Sequence, residues 1–132
     1  MSSTERFENY LTKNEALRNQ LEVTTESYRD AIVYLASHAQ QDTSGGRAAA
    51  QVLLSLYNGL NWHMDLTDLC SMDLQLFEQS LIAIRGRVML NEEPHREIDN
   101  GDQVFNDIQQ RWHHLHTSRR YRDASARVVP NE

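Results

Sequence analysis

The sequence predicts an all-α protein: a compact bundle of about five helices, with a long N-terminal helical segment and a mobile C-terminal tail. Apolar residues recur at three- and four-residue spacing in several segments, residues suited to helix capping precede most of them, and no internal repeat or βαβ pattern appears. At 132 residues the chain is the size of one domain. We therefore expect a single helical domain over residues 1–117 and a flexible basic tail over residues 118–132.

The N-terminal helical segment is predicted to span residues 2–40. Ser2 and Glu5 have the spacing of a capping box at its start. The β-branched run Val23-Thr24-Thr25 predicts either two helices, the second capped by Thr24 or Thr25, or one bent helix. Its apolar residues at helical spacing are Phe7, Tyr10, Leu11, Leu17, Leu21, Tyr28, Ile32 and Leu35.

The core is predicted to span residues 47–116 and to begin with a helix over 47–58, capped by Thr43 or Ser44. Asn58-Gly59 is typical of a left-handed helix end. Asp65 then has the residue type and position of a cap for a short turn over 66–70.

The best-defined helix is predicted over residues 73–90, capped by Ser71 or Asp73. One continuous apolar stripe predicts its core-facing side, consisting of Phe77, Leu81, Ile84 and Val88. Gly86 lies inside this helix, where glycine costs about 1 kcal/mol relative to alanine. We expect a neighbouring helix to approach closely there.

The last part of the core is predicted to contain a short helix over 94–98, begun by Pro94, and a final helix capped by Asp102. Val104, Phe105, Ile108, Trp112 and Leu115 form the apolar side of that final helix. From Thr117 onward the apolar period is lost, which predicts the tail.

Charge and composition narrow the function classes. The net charge of −6 argues against a dedicated duplex-DNA binder, because neutralising phosphates needs a basic face. The single cysteine, Cys70, forms no internal disulfide, and the first residues lack a signal-peptide pattern. The longest apolar run is too short to span a bilayer. We expect a cytoplasmic protein that does not enter the membrane.

The histidines are the first candidate chemistry. His113 and His116 are three residues apart and share a helix face, with His95 upstream and Asp99 or Asp102 as a further oxygen ligand. No second pair of ligands has zinc-site spacing, so we expect no metal and no cofactor.

A carboxylate site and a cysteine nucleophile are the other candidates. Asp65, Asp68 and Asp73 could bind Mg²⁺ or act as acid and base, but each precedes or opens a helix, where capping explains it. Cys70 has His63 nearby but no local nucleophile signature. We expect no catalytic residues, and we interpret Asp65, Asp73 and Asp102 as structural helix caps.

Two segments are predicted to bind partners. Arg119, Arg120 and Arg122 flank Tyr121, a pattern that suits an acidic protein or single-stranded nucleic acid. In the first helix, Asn14 lies at a seam position, where a polar residue can specify register or partner, and Arg18 follows it one turn later. We expect a protein partner and consider a homodimer through the N-terminal helix plausible.

Four stretches carry a resemblance to a known family. They are Leu53-Leu54-Ser55-Leu56-Tyr57-Asn58-Gly59, Asp65-Leu66-Thr67-Asp68-Leu69, Glu93-Pro94-His95 and Gly101-x-x-x-Phe105. They resemble a family of uncharacterised small proteins of bacterial integrative and conjugative elements, plasmids and prophages. The likeness covers residues 47–112, about half the chain, and it implies a genetic setting without an activity.

The sequence therefore leads to one favoured function and two alternatives. The favoured one is a non-enzymatic protein-binding accessory or inhibitor from a mobile genetic element, with counter-defence such as an anti-CRISPR activity as its concrete form. The first alternative is a metal-dependent hydrolase or nuclease using the histidines and aspartates. The second is a nucleic-acid accessory protein using the arginine-rich tail.

Overall fold

The computed structural model describes residues 2–126, and within them the chain is all-α, as predicted. Six α-helices and three short 3₁₀ helices occur in this part of the chain, and the single pairing of β type is an isolated bridge between Trp62 and His116. The α-helices are α1 (Ser3–Leu21), α2 (Thr25–Ala39), α3 (Ser44–Tyr57), α4 (Leu74–Leu90), α5 (Gly101–Arg111) and α6 (Thr117–Ala126). The 3₁₀ helices are Leu66–Ser71, Pro94–Glu97 and His113–Leu115.

The predicted break in the N-terminal segment is confirmed, and it produces two helices. Thr24 caps α2 by accepting a hydrogen bond from the Ser27 amide, at 3.0 Å. Val23, in the link, is buried and joins the core. The two helices differ sharply, because six residues of α2 are buried whereas α1 has no buried residue.

The core is centred on α2, which packs against α3 and α4. Tyr28 is fully buried between these helices, and its hydroxyl donates to the Glu92 carbonyl at 2.7 Å. The close approach predicted at Gly86 is confirmed, because a Cβ there would lie 2.3 Å from Cδ1 of Tyr28. Glycine at this position allows α4 to reach the Tyr28 ring.

The end of α3 differs from the prediction. Asn58 is extended, with φ −152° and ψ 88°, so the expected left-handed end at Asn58-Gly59 was wrong. The Asn58 side chain instead accepts a hydrogen bond from the Leu60 amide at 3.2 Å, which turns the chain locally. Among the described residues, the left-handed ones are Asn91 at the end of α4 and Asn100 before α5.

The C-terminal part of the core closes over α2. Trp112 is buried, and its indole N–H donates to the Ala39 carbonyl at 2.7 Å. The chain then enters α6, where the sequence predicts the start of the tail, and the Thr117 amide donates to the Asn61 carbonyl at 3.0 Å. Residues 127–132 of the predicted tail lie outside the described residues.

A helix that crosses a bilayer needs about 20 consecutive, mostly apolar residues. In the described part of the chain, none of the helices is both long and apolar enough to cross a membrane.

Candidate protein-binding surface

Helix α1 is well capped, yet it leaves its apolar side in solvent. Ser2 and Glu5 form the predicted capping box, in which the Ser2 hydroxyl accepts from the Glu5 amide at 3.1 Å. Five large apolar side chains are nevertheless exposed by 43–63%: Phe7, Tyr10, Leu11, Leu17 and Leu21. No other described element packs extensively along α1. The helix is therefore formed without a core to cover it.

The exposed side chains of α1 form a stripe with a defined period. Phe7, Tyr10, Asn14, Leu17 and Leu21 are spaced three, four, three and four residues apart, as in the seam of a coiled coil. We call this set the α1 stripe. Asn14 is the one polar member, at its centre, which is where the sequence places it.

Only the C-terminal end of α1 meets the body of the protein. Leu17, Leu21 and Met89 line one shallow depression where α1 passes the end of α4. Asn14 and Arg18, both predicted to bind a partner, line the same depression and are exposed. The structure thus places these two residues together, beside the C-terminal end of α4.

Helix α4 carries a second exposed apolar face, which corrects the sequence prediction. Leu74, Leu81 and Val88 are 85%, 38% and 72% exposed, and Phe77 and Ile84 are half-buried. We call these five residues the α4 face. The stripe predicted to be the core side lies mostly outside the core, although Ile84 packs against it. The side of α4 that is buried instead consists of Leu76, Ser80, Ala83 and Gly86.

The α4 face continues into a shallow apolar depression at its N-terminal end. Leu69, Cys70, Met72, Leu74 and Phe77 line it. Cys70 is exposed here. His63, the residue considered as its base, is instead within 2.7 Å of the Tyr121 hydroxyl through Nδ1.

Asp65 has a different role from the one predicted. It precedes the 3₁₀ helix Leu66–Ser71, but its side chain makes no capping hydrogen bond there. Its carboxylate instead pairs with the guanidinium of Arg120 from α6. Arg120 also donates to the His63 carbonyl at 2.8 Å, so it fastens α6 to the segment before that helix. The prediction of a cap at Asp65 was wrong because the side chain has this distant cation to bind.

The buried side chain of Gln51 also holds the segment that contains Asp65 and Asp68, through hydrogen bonds. Its amide nitrogen donates to Asp68 at 2.6 Å, and its oxygen accepts from the Asp65 amide at 2.9 Å. Asp68 also lies 3.5 Å from the Arg47 guanidinium. These bonds account for Asp68 as a structural group.

The other two predicted caps have opposite outcomes. Asp73 caps α4, accepting from the Leu76 amide at 2.7 Å, as predicted. Asp102 lies inside the first turn of α5, after Asn100 and Gly101, so its prediction as the cap was wrong. Its carboxylate is exposed and lies 3.8 Å from Nε2 of His95.

Of the three candidate histidines, His113 and His116 line one shallow depression together with Arg119, and His95 lies apart from them. His95 packs against the rings of Tyr57 and Phe105, His113 is hydrogen-bonded to the Gln110 carbonyl, and Nδ1 of His116 accepts from the Ser118 amide. Across residues 2–126, no three His, Cys, Asp or Glu side chains come together in a metal-binding arrangement. Asp99 lies beside Arg29 and Arg96 in a separate polar depression.

The pKa of His114 lies below its ordinary value. Partial burial lowers the pKa of His114, and the nearby charge of Arg47 lowers it further. Both effects favour the neutral ring, since burial and a nearby cation penalise the imidazolium.

The predicted basic cluster of the tail lies on α6 and is divided by its contacts. Arg120 is committed to Asp65, whereas Arg119 and Arg122 are exposed. Tyr121 is 45% exposed and contacts the His63 ring. Two of the three predicted arginines therefore remain exposed on α6, whereas Arg120 binds Asp65 of the same chain and is not available to an acidic partner.

Sequence reasoning missed the α4 face and the structural roles of Gln51 and Arg120. The α4 face had a usable signal, because its five residues repeat the three-four-three-four spacing of the α1 stripe. The ion pair of Arg120 with Asp65 joins residues 55 positions apart and had no local signal.

Comparison with known proteins gives a family. No curated protein and no solved structure matches the chain. The model of a family of unknown function, DUF7673, matches residues 29–113, which run from the second turn of α2 to the 3₁₀ helix after α5. Helices α1 and α6 lie outside the matched residues. Because the match covers more than half of the sequence, the chain belongs to the DUF7673 family.

Proposed function

We propose that this chain is a non-enzymatic protein-binding protein, an accessory or inhibitor that occupies a surface of its target complex. The observation that carries the proposal is the exposed α1 stripe. A stable helix end, a regular apolar side and the lack of a core beneath it occur together in α1. An amphipathic helix that lays its apolar side into a groove of another protein is a common recognition mode.

The exposed area is large enough to matter for binding. With about 200 Å² for each large apolar side chain, the exposed fractions on α1 amount to on the order of 500 Å². Covering that area is worth roughly 12 kcal/mol before costs, at about 25 cal/mol per Å². Association itself costs about 4–15 kcal/mol, so α1 can support binding when the groove fits it well.

Binding of a partner is also expected to stabilise α1. Most of the stability of a helix in a protein comes from packing of its apolar face, and α1 lacks such packing along most of its 19 residues. A partner that covers the α1 stripe would stabilise α1 as it binds. Asn14 would supply a hydrogen bond that fixes register, and the stem of Arg18 would cover the edge of the stripe.

The biological setting of the proposal rests on the sequence resemblance to proteins of integrative and conjugative elements, plasmids and prophages. In that setting a small protein-binding domain is expected to adapt or block a host or element-encoded complex. Counter-defence, such as inhibition of a CRISPR complex, is the concrete form that we propose.

Affinity capture with a matched pair of α1 variants tests the proposal. Leu17→Glu places a charge on the α1 stripe, and Ala16→Glu places the same charge on the opposite, exposed side of α1. We expect the wild type and Ala16→Glu to capture one stoichiometric host or element partner, and Leu17→Glu to lose at least about tenfold in affinity.

A genetic readout accompanies the capture. Deletion of the gene is expected to reduce transfer of its element into a recipient with active immunity, and Leu17→Glu to reproduce the deletion. Equal capture by the two variants would contradict the role of α1. A lack of any stoichiometric partner, with transfer and immunity unchanged on deletion, would overturn the proposed function.

A further inference from the structure

The two exposed apolar surfaces of the chain match each other in length and period. The α1 stripe runs Phe7, Tyr10, Asn14, Leu17, Leu21, and the α4 face runs Leu74, Phe77, Leu81, Ile84, Val88. Adding 67 to each α1 number gives the α4 number at every position. Two helices with the same three-four-three-four spacing can pack along their whole length in one register.

From this match we infer that the α1 stripe of one chain lies along the α4 face of a second copy, reciprocally, in a twofold dimer. The inference rests on the proposed function in one respect, namely that α1 is a binding element. Here the partner that binds α1 is a second copy of the same chain.

The area fits a dimer of ordinary size. The exposed fractions of Leu74, Leu81 and Val88 add on the order of 400 Å² to the 500 Å² of α1, again with about 200 Å² for each large side chain. The total is close to the roughly 800 Å² per partner that a standard interface buries. Pairing α1 with α1 alone would leave the α4 face in water.

The ends and the centre of the two surfaces fit as well. The register places Phe7 and Tyr10 at the N-terminal end of the α4 face, where the apolar depression lined by Leu69 and Met72 can receive an aromatic side chain. At the centre, Asn14 meets Leu81. Arg85 lies one turn further along α4, and its Nε is buried without a hydrogen-bond partner among the described residues. The guanidinium can turn towards the Asn14 carboxamide, whose oxygen would accept from it.

The mass of the full chain in solution gives the first test. Light scattering coupled to size exclusion is expected to give twice the 15.3 kDa of one chain. Leu17→Glu and Leu81→Glu are each expected to raise the dimer dissociation constant at least tenfold, whereas Ala16→Glu is not. Both leucines are exposed in the single chain, and circular dichroism would verify that the variants stay folded.

Disulfide trapping gives the geometry. Because Cys70 is exposed, it is first replaced by Ser. One chain then carries Asn14→Cys and another carries Leu81→Cys, and the two are mixed and oxidised. We expect a disulfide between the two chains, and none when Thr12→Cys, on the opposite side of α1, replaces Asn14→Cys.

Three outcomes would overturn the inference. They are a monomer at all concentrations up to about 1 mM, faster trapping of Asn14→Cys with itself than with Leu81→Cys, and a disulfide within one chain that carries both substitutions. None of them decides the proposed function, since capture of a target through α1 is measured separately. If both proposals hold, the target competes with the second copy, and added target is expected to lower the dimer fraction.

Discussion

Replacement of Gly86 by alanine is expected to destabilise the protein, against the trend for glycine in a helix. A Cβ at this position would lie 2.3, 2.8 and 3.1 Å from Cδ1, Cγ and Cβ of Tyr28, whereas carbon atoms in contact are about 3.5–4.0 Å apart. The Tyr28 ring cannot turn away freely, since it is fully buried and its hydroxyl is bonded to the Glu92 carbonyl. The backbone of α2 or α4 must therefore shift.

The magnitude follows from two opposed terms. Overpacking of a core costs about 1–3 kcal/mol, and the clash with three Tyr28 atoms favours the upper end. Alanine gains about 1 kcal/mol of helix propensity over glycine. We expect Gly86→Ala to lower the free energy of unfolding by about 2 kcal/mol.

Urea unfolding followed by circular dichroism measures this, with Gly45→Ala as the matched control. Gly45 is also helical, in the first turn of α3, but a Cβ there would lie 3.4 Å from one Leu76 side-chain carbon. We expect Gly45→Ala to be neutral or stabilising by up to about 1 kcal/mol. A Gly86→Ala protein as stable as the wild type would refute the packing of α4 on Tyr28.

Three further predictions concern the core and α6. Burial raises the pKa of Tyr28, so the unfolded chain ionises first, and the stability that Tyr28 contributes is expected to fall as the pH rises above about 10. In urea unfolding from pH 7 to 11, Tyr28→Phe should lose less unfolding free energy at high pH than the wild type. An equal loss in the two proteins would contradict this prediction. Trp112→Phe removes the donor to the buried Ala39 carbonyl and should cost about 1–3 kcal/mol of unfolding free energy, so a change below about 0.5 kcal/mol would count against that bond. Arg120→Ala should speed amide hydrogen exchange in α6 while changing the free energy of unfolding by less than about 1 kcal/mol. Arg119→Ala is the control. If exchange in α6 is no faster in Arg120→Ala than in this control, the ion pair with Asp65 does not hold α6.

Local signals in the sequence predicted several features correctly. The run Val23-Thr24-Thr25 predicted the break between α1 and α2, and the cost of glycine inside a helix predicted the close approach at Gly86. Asp73 was predicted as a cap from its position before an apolar period. Each of these depends on residues within one or two turns of the position concerned, which is the range over which sequence patterns act.

The orientation of α4 could not be predicted in the same way. Apolar spacing identified a stripe on α4, but the helix also has a side of small residues, and the choice between them depends on what α2 presents. The buried Tyr28 ring requires a small neighbour, so Ala83 and Gly86 turn inward and Leu81 and Val88 face solvent. Which side is buried is therefore a property of the packed pair of helices.

The candidate site was predicted only in part, for a related reason. Asn14 was placed on the interaction surface from its seam position and Arg18 from its place one turn later, and both are exposed beside the end of α4. Arg120 was placed with a mobile tail, whereas it pairs with Asp65 across 55 residues of sequence. Long-range ion pairs have no signature in local composition, so neither the anchoring of α6 nor the loss of the cap at Asp65 could be anticipated.

The central claim is that the α1 stripe is covered when the protein is bound. Hydrogen exchange of the α1 amides, measured on the free chain at high dilution and then on the complex, tests it most directly. Because α1 lacks a core contact along most of its length, its amides should exchange quickly in the dilute chain and slow at least tenfold in the complex. Equal exchange of the α1 amides in the two states, with protection appearing elsewhere, would contradict the account.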